Sequence, residues 1–130
     1  MKILQPAGWA KPKGYANGIS AGSGTTVFIA GQVAFNAQSI IEEKTFAGQF
    51  RQTLKNTLAV LAEAGGRPEH IVRMTWYITD KKAYLGALKD VGAAWRELIG
   101  KHYPAMAVVQ VVALMEDQAM LEIETTAVVP

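Results

Sequence analysis

The stretch Tyr103–Leu114, YPAMAVVQVVAL, decides the fold. It follows a helical segment and opens on Pro104, which cannot extend that helix. Beyond the proline it is rich in Val and Ala, with no turn residue before Met115–Gln118, which predicts a buried strand. Side chains on a strand alternate between its faces. Ala105, Ala107, Val109, Val111 and Ala113 make one face, small enough to pack under a helix. Met106, Val108, Gln110, Val112 and Leu114 make the other, and one Gln among large apolar groups does not suit a solvated face. Both faces are therefore expected to be covered, the second by something other than the chain's own helices.

Outward from that strand, Asp80 is placed to cap a helix over about Lys81–Ile99, ended by Gly100, with Tyr84, Leu88, Val91, Trp95 and Leu98 as its apolar stripe. Before it, Ile71–Thr79 (IVRMTWYIT) is dense in β-branched and aromatic residues and reads as a strand. Val72, Met74, Trp76 and Ile78 are expected to face the helices, with Arg73, Thr75 and Tyr77 on the other side. A first helix is predicted over about Phe46–Ala64, where Phe46, Phe50, Leu54, Leu58 and Leu61 recur at helical spacing between Thr45 and Gly65-Gly66. Arg51, Lys55 and Glu63 belong on its wet side. Lys2–Leu4, Tyr15–Ser20 and Thr26–Gln32 read as further strands, the last two joined through Gly22-Ser23-Gly24. Gly31 permits a close approach by a neighbouring element or a ligand. Met120–Val128 is the final strand, with Leu121, Ile123, Thr125 and Ala127 alternating against Glu122, Glu124, Thr126 and Val128.

Strands, helix, strand, helix, strands is the order of an α+β two-layer domain, residues 1–130, with both helices on one face of a mixed sheet. The helix-free face is expected to collect Arg73, Thr75, Tyr77, Met106, Val108, Gln110, Val112, Glu122 and Glu124. So much apolar surface on one face predicts an interface between copies.

Composition narrows the function classes. Half of the 130 residues are hydrophobic and 18% are charged, as in a compact globular domain. A net charge of +2 with no Lys/Arg run argues against nucleic-acid or membrane partners. The absence of cysteine excludes disulfides, thiolate metal sites and cysteine nucleophiles, and accords with the cytoplasm. The opening MKILQPAGWAKPKG has no apolar core of a signal peptide. His70 and His102 stand far apart without carboxylates at ligand spacing, so no metal is expected. No Ser/His/Asp set suggests itself, and the Gly-rich turn lacks the Gly-Lys-Ser/Thr of a phosphate loop. Glu122 and Glu124, two apart on one strand, point the same way. Either they share a proton for acid–base work, or one pairs with Arg73 and the other stands at the rim. Trp9 either pins its loop or stacks on a ligand.

Six segments carry a resemblance: GYANGI (Gly14–Ile19), IAGQVAFN (Ile29–Asn36), QTLKNTLAVLAEAGG (Gln52–Gly66), IVRMTWYITD (Ile71–Asp80), YPAMAVVQV (Tyr103–Val111) and LEIETTAV (Leu121–Val128). In this order, over nearly the whole chain, they resemble the RidA (reactive intermediate deaminase, or YjgF) family. The resemblance implies a chorismate-mutase-like domain of six strands and two helices. It implies a homotrimer whose sheet faces close into a barrel, with a small-molecule cleft at each subunit boundary. The implied activity is cofactor-free hydrolysis of small enamines or imines, such as those released by pyridoxal-phosphate enzymes, to a carbonyl compound and ammonia.

By the same resemblance, Tyr15 and Glu122 position the amine and the attacking water, and Gly31, Met106, Val108 and Gln110 shape the substrate pocket. The departures are informative. Deaminating members have Pro-Ala-Arg where this chain has Pro104-Ala105-Met106, and that arginine grips the substrate carboxylate in a bidentate pair. Val108 replaces a frequent Cys, and Ala30 a frequent Ser or Thr. The expectation is a deaminase of altered substrate choice, its cation lost or supplied by Arg73, Arg51 or Lys13. The alternative is a trimer that binds a small apolar or aromatic ligand without turnover. Ribonuclease action, ascribed to some relatives, is disfavoured by the weak charge and the lack of a histidine pair.

Overall fold

The computed structural model describes residues 1–130. The elements are β1 (Lys2–Leu4), β2 (Gly18–Ser20), β3 (Thr25–Gln32), α1 (Phe46–Glu63), β4 (Ile71–Ile78), α2 (Lys81–Gly86), α3 (Leu88–Leu98), β5 (Ala105–Gln110) and β6 (Leu121–Val129), with one 3-10 turn at Pro68–His70. The main sheet has the order β3-β6-β4-β5. β6 is antiparallel to both neighbours, and β4 and β5 run parallel. The architecture is α+β, as expected. The six strands do not form one sheet, however. β1 and β2 pair only with each other, and the link to the main sheet is a single bridge from Ala16 to Ala105.

The stripe of α1 packs as its spacing predicts. Phe50, Leu54 and Leu61 are fully buried against Ile71, Met74, Leu121 and Ile123. Burying each such side chain stabilises the fold by about 1.5–3 kcal/mol. Thr45 Oγ1 accepts from the Gly48 N–H at 3.0 Å, and Gly65, with φ of 72°, turns the chain out of the helix. Gln49 is buried with both of its polar side-chain atoms hydrogen-bonded. Its Nε2 donates to the carbonyls of Glu43 and Gln118, and its Oε1 accepts from Met120 N, tying α1 to the entrance of β6.

The expected helix over 81–99 is two helices. Asp80 caps the first, accepting from the N–H groups of Lys82 and Ala83. That helix closes at Ala87, whose N–H donates to the Tyr84 carbonyl, and α3 restarts as Val91 N donates to Ala87 O. Gly86, which stiffens the backbone least, stands at the break. The join leaves Tyr84 against Phe46 and Trp76, and Val91 and Trp95 in the core.

β5 is shorter than expected and its faces are reversed. It ends at Gln110, because β4 offers no residue beyond Ile78 to pair with; the last bond runs from Val111 N to Ile78 O. Val112 is then fully exposed, at 104%. Met106 pairs with Met74 and Val108 with Trp76, so both lie on the helix side of the sheet. Ala105, Ala107 and Val109 lie with Arg73, Thr75 and Tyr77 on the helix-free face. Alternation alone gives two faces; only register with β4 says which is which. Val72 likewise yields its core place to Ile71 through a bulge between Ile71 and Arg73. No helix is long and apolar enough to cross a membrane.

Candidate functional site

The backbone N–H of Ala16 donates to Pro104 O at 2.9 Å, so the loop carrying Tyr15 is laid along the start of β5. A cleft of about 570 Å³ opens there, between that loop, β5 and the α2–α3 pair. Tyr15, Met106 and Val108, three of the residues expected to form the site, share its wall. Its floor is aromatic: Trp76 and Tyr84 meet edge to face with centroids 6.3 Å apart, and Trp95 stacks on Tyr103 at 6.2 Å and 11°. Trp95 is oriented by its Nε1–H, which donates to His102 O at 3.1 Å. Trp76 Nε1–H is buried with no acceptor, sealed by the protein itself from the cleft as well as from water. Burial holds the Tyr84 phenol above its ordinary pKa, so it is neutral at physiological pH. A cleft of this size with apolar walls and few polar groups is the form that small-molecule sites take.

Glu122 and Gly31 are brought together elsewhere. Tyr77 stands opposite Glu122 and Thr75 opposite Glu124 across the β4–β6 ladder, which places both glutamates on the helix-free face. The Glu122 side chain lies over Gly31. A β-carbon at residue 31 would sit 2.7 Å from its Cδ, so only glycine leaves room for the carboxylate. Glu124 accepts a 2.5 Å hydrogen bond from the Tyr77 hydroxyl. That bond, reinforced by burial and by the charges of Glu124 and Glu122, raises the Tyr77 pKa against the opposing pull of Arg73. Neither glutamate is ion-paired with Arg73. The main sheet therefore separates Tyr15, Met106 and Val108 from Glu122 and Gly31 within the chain.

The remaining candidates lie apart. Gln110 Oε1 accepts from Lys81 N at 2.7 Å, which ties the end of β5 to the start of α2 outside the cleft. Arg73 lines a groove on the helix-free face with Phe28, Thr75 and Glu124. Arg51 is ion-paired with Glu97. Lys13 alone among the three expected cations lines the cleft. Trp9 is 61% exposed and does not line the cleft. Both histidines are structural: His102 Nε2 donates to Ile71 O, and His70 Nδ1 accepts from Arg67 N.

Sequence reasoning missed Arg96 as a cleft residue and treated Tyr84 and Trp95 as core alone. Arg96 follows Trp95 and stands one turn after Gly92, so it borders the stripe that points at the cleft. A residue flanking an amphipathic stripe is the available signal, and it does not by itself distinguish a cleft from open solvent.

The family model described as Endoribonuclease L-PSP matches residues 9–129. A RutC family protein of Synechocystis is 34% identical over the full length of this chain and 98% of its own. The 2-iminobutanoate/2-iminopropanoate deaminase of Salmonella typhimurium is 29% identical over 88% of this chain and 86% of its own. Among solved structures, YyfB of the conserved Rid protein family from Yersinia pestis superposes with a TM-score of 0.87 at 28% identity, covering 98% of both chains. A match that runs nearly end to end in sequence and in fold, over the same strands and helices that build the cleft, shows that this chain belongs to the Rid (YjgF, Endoribonuclease L-PSP) family.

Proposed function

We propose that the protein hydrolyses small enamines or imines to a carbonyl compound and ammonia in the cytoplasm, as a homotrimer without a cofactor. In this reading Tyr15, Met106 and Val108 of one copy face Gly31 and Glu122 of the next across each subunit boundary. The observation that carries it is the seating of Glu122 over Gly31 on a face that the helices leave open. A carboxylate fixed in that way is placed to orient and deprotonate water. The deaminase name of the Salmonella relative supports the same chemistry.

The reaction needs only proton transfers. An enamine takes a proton from solvent on carbon, or an imine takes one on nitrogen, and either becomes the iminium ion. Water adds to the C=N carbon while Glu122 accepts one of its protons, giving a carbinolamine. Glu122 returns that proton to nitrogen, the C–N bond breaks with its electron pair leaving on ammonia, and the hydroxyl loses its proton as the C=O forms. The Tyr15 hydroxyl, which shares the cleft wall with Met106, holds the nitrogen.

The test is 2-oxo acid release from imines generated in situ by an amino-acid oxidase. The natural protein accelerates release and Glu122→Gln abolishes the acceleration. A second reading, ligand binding without turnover, is favoured by Met106, which puts a thioether where the family's arginine would hold a carboxylate. It takes precedence if neither the natural protein nor Met106→Arg accelerates release.

A further inference from the structure

Lys13 and Arg96 are the only charged side chains lining the aromatic cleft, and no carboxylate lines it. Neither cation is ion-paired within the protein. Arg96 is aimed along the cleft wall: its Nη1 folds back over Gly92, to within 3.3 Å of where a β-carbon would stand, and Gly92 is itself a lining residue. A free guanidinium and a free ammonium in one cleft with Tyr84, Tyr103 and the edges of the buried Trp76 and Trp95 make a site for a molecule with an anionic head and a large flat apolar body. A short aliphatic acid would occupy a small part of about 570 Å³ and leave the half-buried Tyr84 and Tyr103 uncovered.

We infer that Arg96, assisted by Lys13, anchors the substrate carboxylate in place of the missing arginine at Met106, and that the substrates are imino acids with aromatic or comparably large apolar side chains. This rests on the hydrolase reading for the word substrate; the binding site itself does not depend on turnover. Moving the cation from β5 to α3 moves the carboxylate outward and frees the floor around Met106 and Val108 for the side chain. Met106, flexible and polarizable, suits contact with an aromatic ring.

The experiment is calorimetric titration of the full-length protein with phenylpyruvate and with pyruvate, at low and at high salt. Phenylpyruvate is expected to bind at least about ten-fold more tightly than pyruvate, and more weakly as salt rises. Arg96→Gln lowers phenylpyruvate affinity by about ten-fold or more, Lys13→Gln by less, and Arg96→Lys restores part of the loss. Arg96 is exposed, so these variants do not threaten folding. Equal binding of pyruvate and phenylpyruvate, or unchanged phenylpyruvate affinity in Arg96→Gln, overturns the inference. Failure here alongside measurable imine hydrolysis leaves the proposed function standing. Arg96-dependent phenylpyruvate binding in a protein without turnover sinks the function and keeps the site.

Discussion

The carboxylate of Glu122 on β6 rests over the α-carbon of Gly31 on β3, with room for a hydrogen and for nothing larger. The atoms that an added methyl would strike belong to the outer part of a flexible side chain, so the chain accommodates it by swinging Glu122 away. Gly31→Ala is therefore expected to change folding stability by less than about 1 kcal/mol while lowering imine hydrolysis at least about ten-fold. Denaturant unfolding and oxo-acid release on the same sample check this. A variant that loses stability and activity together would mean that Gly31 serves the fold instead.

Phe28 is 80% exposed on the helix-free face, opposite Thr126 and beside the Arg73 groove. Val109 and Tyr77 share that face. An exposed phenylalanine amid such residues makes this face the one proposed to meet a second copy. Sedimentation velocity is expected to show trimers for the natural protein and monomers for Phe28→Asp. Persistence of the same assembly in Phe28→Asp would place the interface elsewhere.

Tyr77 gives a pH dependence of definite sign. Its phenol is held protonated by Glu124, so its folded pKa lies above the unfolded value near 10. The stabilisation is fully present below pH 10 and is lost as pH rises through the folded value, where the unfolded chain binds fewer protons than the native one. Tyr84, raised by burial, acts in the same direction. Urea unfolding from pH 9 to 11 is expected to fall less steeply for Tyr77→Phe than for the natural protein. Equal slopes would contradict the hydrogen bond.

What was legible in the sequence follows from how local each signal is. The α1 stripe from Phe46 to Leu61, the Thr45 and Asp80 caps and the strand over Ile71–Ile78 depend on neighbours in the chain, and they stand where expected. The assignment of Met106 and Val108 to a face depends on β5 pairing with β4, a contact between residues some 30 positions apart, and it came out reversed. The division of six strands into four and two has the same origin, since nothing in Lys2–Leu4 names its partner. The break at Ala87 reflects how Tyr84 and Trp95 both reach the core, which periodicity smooths over. Tyr15, Met106 and Val108 were reached through family resemblance, and the structure places them in one cleft; Arg96, outside every motif, needed the three-dimensional wall.

The central claim is that one site draws Tyr15 from one copy and Glu122 from another. It is tested most directly by mixing two variants, Tyr15→Phe and Glu122→Gln, through co-expression and measuring oxo-acid release from oxidase-generated imines. Each variant alone is expected to be nearly inactive, whereas random mixed trimers place an unaltered Tyr15 opposite an unaltered Glu122 at about one boundary in four. The predicted result is recovery of about a quarter of the natural rate. Mixed protein as inactive as its parents, beside an active natural protein, would contradict a site shared between copies.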